Sequence, residues 1–194
     1  MNLQVLPLAI TMMAGPQIMS ALIFITASKP LKLSAAFLAG VVIAVTAGVT
    51  ITFTLATLLG NIIQYLLVGL LVFLAIKNYV RRETIEPPRW LGTLQNAKPS
   101  TAFKTGLLLL SLFPSDFIIL VTVGVNLAQN NGSLLAALPF IAATVLIAAL
   151  PVLSYMLFHR RAQRLMPKVR DWMNANSWLV NIIVFVIFIV LILG

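Results

Sequence analysis

The chain has 194 residues, 61% of them hydrophobic and only 9% charged, with a mean hydropathy of +1.07; soluble domains sit near half apolar and a quarter charged, so an ordinary globular protein is excluded. Thirteen Lys and Arg against four Asp and Glu give a net charge of +9. Long apolar runs separate those basic residues, so the surplus reports membrane topology rather than a nucleic-acid partner.

A bilayer core of about 30 Å takes roughly 20 apolar helical residues, and six stretches fit. Barrel strands would alternate polar and apolar residues, which these runs do not. The first stretch, residues 3–27, lacks a basic leader and is too long for a signal-peptide core, so it is expected as a retained helix. Gly15-Pro16-Gln17 interrupts it. The second, residues 34–59, carries two patterns. Ala36, Gly40, Ala44 and Gly48 recur every four residues, a ridge for close helix packing. Thr46, Thr50, Thr54 and Thr57 form a polar stripe that either lines a pathway or bonds back to the helix's own carbonyls.

Gly60-Asn61 turns the chain into a third stretch, residues 62–76, and a basic loop covers 77–104. The fourth stretch, residues 105–127, is interrupted by Phe113-Pro114-Ser115 and carries Asp116 near its middle. The fifth, residues 134–158, contains Pro151 and ends on His159-Arg160-Arg161, an interfacial anchor. Leu165, Met166, Val169, Trp172 and Met173, set among basic residues, make 160–176 an amphipathic segment along the membrane surface. The sixth, residues 178–193, is apolar on nearly every face and is expected against lipid or a second subunit.

The loops vote on orientation. All thirteen basic residues fall in three loops: Lys29 and Lys32; Lys77, Arg81, Arg82, Arg89, Lys98 and Lys104; Arg160, Arg161, Arg164, Lys168 and Arg170. The alternate loops hold none. The positive-inside rule then puts the basic loops in the cytoplasm and both termini outside the cytoplasmic membrane. Contact of these loops with anionic lipid is a secondary expectation, worth about 1 kcal/mol per basic residue.

Three spans followed by three more place the halves in opposite orientation, the plan of an inverted repeat. The expected fold is therefore all-α and integral to the membrane, with repeats over 1–76 and 105–194 joined by the basic loop. Faint echoes agree: Phe37-Leu38-Ala39-Gly40 resembles Phe140-Ile141-Ala142-Ala143, Asn61-Ile62-Ile63 resembles Asn181-Ile182-Ile183, and Gly15-Pro16 breaks span one where Pro114 breaks span four. Each proline removes a backbone donor and clashes with the preceding turn. In lipid the freed groups are tolerated only against protein or a water-filled cavity. Paired breaks in corresponding positions are thus the best pointer to a transport site, although either proline alone reads equally as a packing kink.

Asp116 stands apart from Glu83, Glu86 and Asp171, which lie in loops. A charge at that depth costs at least about 2.5–3.5 kcal/mol, and no basic residue lies within a span to pair with it. It is protonated, hydrated in a cavity, or caps groups freed by the proline. The functional candidates are Asp116, Ser115, Pro114, Gly15, Pro16 and Gln17, with Thr46 and Thr50 lining a path to them, for a substrate or a coupling ion.

The absence of cysteine and a single histidine leave little for a metal site or thiol chemistry. One buried acid is too little for an intramembrane enzyme, and no P-loop is present. Neither enzymatic activity nor a cofactor is expected.

These residues resemble the LysE superfamily of six-helix exporters. Ala14-Gly15-Pro16-Gln17 is similar to its early proline-glycine-proline motif with Ala14 in place of the first proline, and the small-residue helix Phe37 to Gly48 after Ser28-Lys29-Pro30 is similar too. Arg170-Asp171-Trp172 before a final apolar helix looks most like the branch named for peptidoglycolipid addressing, which is linked to glycolipid export. Amino-acid exporters of the superfamily carry asparagine-proline-lysine where this chain has Phe113-Pro114-Ser115 and then Asp116, which disfavours amino-acid export. The resemblance implies inverted repeats, a homodimer and contact with membrane lipids. The expectation is a secondary exporter of a lipid or lipid-linked substrate, coupled to protons through Asp116. The alternatives are an exporter of a small polar solute such as an amino acid, and a non-transporting assembly subunit.

Overall fold

A computed structural model describes residues 5–60, 62 and 89–158, with isolated positions at 165, 168, 169 and 172. Apart from those positions, the expected third and sixth spans, most of the basic loop and the amphipathic segment lie outside the described residues. The described residues are helical, with no strand among them. The helices are α1 (Leu6–Met13), α2 (Pro16–Thr26), α3 (Pro30–Leu59), α4 (Pro99–Leu112), α5 (Pro114–Gln129) and α6 (Leu138–Leu157). Short 3₁₀ segments, Arg89–Asn96 and Leu134–Ala137, precede α4 and α6.

Proline sets where these helices begin. Every one of the six has Pro in its first or second position, where the missing N–H costs nothing and the fixed φ suits the first turn. Pro151 sits inside α6, which runs through it unbroken.

Among the described residues two helices, Pro30–Leu59 and the stretch Leu134–Leu157, are long and apolar enough to cross a membrane. Two bent pairs raise the number to four if each pair is one span: α1 with α2, bent by 60°, and α4 with α5, bent by 63°. The expected first, second, fourth and fifth spans thus correspond to described helices, the first and fourth broken at Gly15-Pro16 and Phe113-Pro114.

α3 is the spine of the bundle. It packs most extensively on α4 and α5, while α6 packs on α1, α2 and α3. The ridge of small residues lies on the packed face: Ala44 and Gly40 are buried, and Ala36 and Gly48 are half-buried. A Cβ added at Gly40 would run into the carbonyl oxygen of Phe103 and stand 2.8 Å from the amide of Leu107, and one at Gly106 would run into the carbonyl oxygen of Phe37. The two glycines let two backbones touch. Farther along, Gly48 faces Leu120, and Gly124 faces Thr52 and Phe53. Contacts advance together along both chains, so α3 and the α4–α5 pair run parallel. Phe24, Phe37 and Phe140 fill the centre with no exposed surface, and the first two rings lie 5.4 Å apart, tilted by 49°.

The parallel course sorts charge. α3 and α4 start at one end, near Lys29, Lys32, Lys98 and Lys104. The contact of Ile25 with Val152 and Tyr155 brings the last turns of α2 and α6 to that end too. α3 and α5 finish at the opposite end, where Gly60 and residues 130–133 carry no charge.

The glycine crossing makes a graded expectation for thermal unfolding in detergent. Gly40→Ala and Gly106→Ala meet backbone that cannot retreat and should each cost ~1–3 kcal/mol. Gly48→Ala meets the tip of the Leu120 side chain, 2.6 Å away, and should lower the melting temperature less. Equal losses at all three positions would contradict the crossing.

Candidate functional site

Each helix break has its own local cause. Gly15 has φ +103°, a region closed to most side chains, and Pro16 then starts α2 with a preset φ. At the second break Phe113 is extended, with ψ 126°, as the residue before a proline must be, and Pro114 starts α5. Ala14 N–H still bonds the Ile10 carbonyl at 3.0 Å, and Phe113 N–H the Leu109 carbonyl at 3.1 Å, so the preceding helices are complete up to each break. The N–H that either proline lacks would have served the carbonyls of Met12 and Leu110.

The breaks put one buried polar residue each in the first turn of α2 and of α5. Gln17 is 0% and Asp116 1% exposed. They meet: the Gln17 amide Nε2 donates to Oδ2 of Asp116, across 99 residues of sequence. The Ser115 hydroxyl stands 3.5 Å from the other carboxylate oxygen, long for a hydrogen bond. Of the three roles open to Asp116 in the sequence, capping its own broken helix is not what the carboxylate does, because its partners are side chains. Gln17 Oε1 is buried with no partner among the described residues. It lies over the break, 3.5 Å from where a Cβ on Gly15 would stand.

The height of this contact follows from the helix register. Gly106 lies against Phe37 and Val41, and Leu120 against Gly48, so the break between them is level with the middle turns of α3. Two helix N-termini, each the positive end of a peptide dipole, are therefore linked by a buried side-chain bridge halfway along the bundle.

Of the sequence candidates, the structure joins Gln17 to Asp116 and sets Gly15, Pro16, Pro114 and Ser115 at the breaks that present them. Thr46 and Thr50 are elsewhere, on the exposed face of α3. Thr50 donates to the Thr46 carbonyl, Thr54 to Thr50 and Thr57 to Thr54, each at 2.8 Å. Thr52, midway between Thr50 and Thr54 but on another face, is buried, and its hydroxyl lies within donating distance of its own helix's Gly48 carbonyl at 2.8 Å and of the Leu120 carbonyl at 2.9 Å, between α3 and α5. Its signal in the sequence is its place four residues beyond Gly48, on the ridge. Thr11 and Ser34 also bury hydroxyls without partners among the described residues. No group of three His, Cys, Asp or Glu that could hold a metal ion occurs among the described residues.

A groove of about 380 Å³ follows α4 from Thr101, Lys104 and Thr105 past Leu108, Leu109 and Leu112 to Phe113 at the second break. Its polar residues are at the basic end of the bundle and its apolar residues near mid-height.

Removing one partner of a buried pair costs more than removing both. Gln17→Leu should therefore destabilise the folded protein by ~1–3 kcal/mol, and the double variant Gln17→Leu/Asp116→Leu should recover part of that loss. Strictly additive losses in thermal unfolding would mean that the two side chains do not interact.

Neither curated proteins nor solved structures give a match to this chain. A family model does, described as Sap, sulfolipid-1-addressing protein, over residues 5–194. That match takes in both breaks, Gln17 and Asp116. With nearly its whole length covered, the chain belongs to the family of Sap, the sulfolipid-1-addressing protein.

Proposed function

We propose that this chain is a secondary exporter that moves a lipid or lipid-linked, glycolipid-type substrate across the cytoplasmic membrane, with Asp116 as the proton-coupling group. The observation that carries the proposal is the buried Gln17–Asp116 bridge between two half-helix N-termini at mid-height. Broken helices whose N-termini converge are how transporters receive an anionic group at the bilayer midplane. In this mechanism the Asp116 carboxylate occupies the position that such a group would take. A proton on Asp116 cancels its charge and leaves the two positive helix ends to the substrate's anion. Loss of the proton returns the carboxylate and expels the anion. Gln17, with its free amide oxygen, accepts a hydrogen bond from a substrate hydroxyl.

Three further observations support the proposal. The groove along α4 has the polarity of an amphiphile, cation and hydroxyls at one end and apolar residues at the other, so a lipid lying in it reaches the second break. The family description speaks of sulfolipid addressing, and a sulfolipid is an anionic amphiphile of that kind. The two breaks bend by nearly the same angle, and α3 packs on α4–α5 as α6 packs on α1–α2. Exchanging the first with the fourth span and the second with the fifth leaves that pattern unchanged, as two inverted repeats of three spans would require. We carry forward with it the LysE-type architecture: six spans, both termini outside, basic loops in the cytoplasm, and a homodimer in membrane lipid. Export of a small polar solute is the second reading, favoured by the complete burial of Gln17 and Asp116.

The test uses protein in liposomes carrying a fluorescent sulfated glycolipid and an external quencher. Wild type should speed loss of the protected inner-leaflet signal, faster still under a pH gradient. Asp116→Asn should slow it roughly tenfold or more, equivalent to about 1.4 kcal/mol, and remove the gradient dependence. No acceleration by folded wild-type protein would shift the weight to a soluble substrate, and an Asp116→Asn variant with unchanged gradient dependence would exclude proton coupling through Asp116.

A further inference from the structure

At the basic end of the bundle, the first turn of α3 and the last turn of α6 enclose an open cleft of about 500 Å³, lined by Lys29, Pro30, Leu31, Lys32, Tyr155 and Met156. Lys29 immediately precedes α3 and Lys32 lies in its first turn, and both line the cleft. Both are exposed. No lining residue among the described residues is acidic. Two ammonium groups on one wall, with no carboxylate among the described residues of the other, concentrate anions. The rest of the lining is of another kind: Leu31 is 49% and Met156 66% exposed, and the neighbouring Leu157 and Phe158 are exposed as well.

The geometry points to a receiving site for one anionic lipid from the adjoining leaflet, its headgroup phosphate or sulfate held between Lys29 and Lys32 and its glycerol and upper acyl carbons against Leu31 and Met156. A lysine pair that only anchored helix ends at the interface needs no second wall, and here α6 supplies one. A free inorganic anion would leave Leu31 and Met156 facing water, whereas an anionic lipid satisfies the charge and the apolar wall together. The site lies at the end of the bundle, remote from the mid-height bridge, and would deliver lipid to it. In that role it rests on the lipid-export proposal, but lipid binding can be measured without any transport.

The experiment uses the full chain in phosphatidylcholine nanodiscs, titrated with phosphatidylglycerol and read by native mass spectrometry. Wild type should take up one phosphatidylglycerol per chain saturably. Lys29→Gln/Lys32→Gln should weaken that binding roughly 30-fold, the effect expected of two surface lysines on an anionic lipid. Lys98→Gln/Lys168→Gln, which removes the same charge from the basic loops outside both the cleft and the α4 groove, should weaken it less than about threefold, the scale of diffuse attraction alone. Excess inorganic phosphate or sulfate should not displace the lipid. Unchanged binding in the first variant, or equal loss in both, would overturn the site, and displacement by free phosphate would make it a simple anion site. A wild type that binds phosphatidylglycerol as described yet translocates no lipid would leave the site standing while the export proposal falls. The replaced lysines are exposed, so equal melting temperatures are expected for all three proteins.

Discussion

A helix that stops inside a bundle must find new partners for the backbone groups it releases, and no lipid can supply them. Among its described residues this chain stops in that way twice, at Gly15-Pro16 and at Phe113-Pro114, and both stops present an N-terminal first turn with a polar side chain. The structure brings those two polar side chains together. The first turns of α2 and α5 are bridged by Gln17 and Asp116, buried from all solvent and joined across half the chain. Everything else in the arrangement keeps those two turns at the same height.

That registration is the work of α3. The reciprocal approach of Gly40 and Gly106 sets α4 directly against the spine, and the contacts of Gly48 with Leu120 and of Gly124 with Thr52 resume beyond the 63° bend. Bulkier residues at these positions would push α4 or α5 outward and carry Asp116 away from Gln17. The Thr52 hydroxyl, bound to the Leu120 carbonyl, fastens α5 one turn beyond Asp116. Glycine packing and one interhelical hydrogen bond thus serve a polar contact that neither of them touches.

Much of this was legible in the sequence because certain residues act alike in any context. A proline removes a donor wherever it stands, so Pro16 and Pro114 marked the breaks. A carboxylate in an apolar run requires a reason, so Asp116 stood out, and Gln17 followed from its position beside a break. The ridge from Ala36 to Gly48 announced a packed face by its spacing alone. Helix starts were less legible: hydropathy registers where uninterrupted apolar residues begin, at 34 and 105, whereas α3 and α4 begin at Pro30 and Pro99, with Lys32 in the first turn of one and Ser100 and Thr101 in that of the other. The threonines were the hardest. Thr46, Thr50, Thr54 and Thr57 form the more regular stripe, yet the last three bond back to their own helix on an exposed face, while Thr52 also reaches a neighbouring helix. Spacing tells which residues share a face, but not which face meets a neighbour. The pairing of Gln17 with Asp116 had no local signal at all, since it depends on how two distant breaks are stacked.

The claim on which all this rests is that the two breaks meet. A chain without native cysteine allows a direct measurement. Cysteines placed at positions 17 and 116 would be treated in membranes with a short bifunctional thiol reagent, with the pair at positions 50 and 116 as comparison. Cross-linking within one chain is expected for 17 with 116 and not for 50 with 116, because Thr50 lies on the exposed face of α3. If 17 and 116 stay unlinked while each reacts singly with a monofunctional reagent, the breaks do not converge and the mid-height site does not exist.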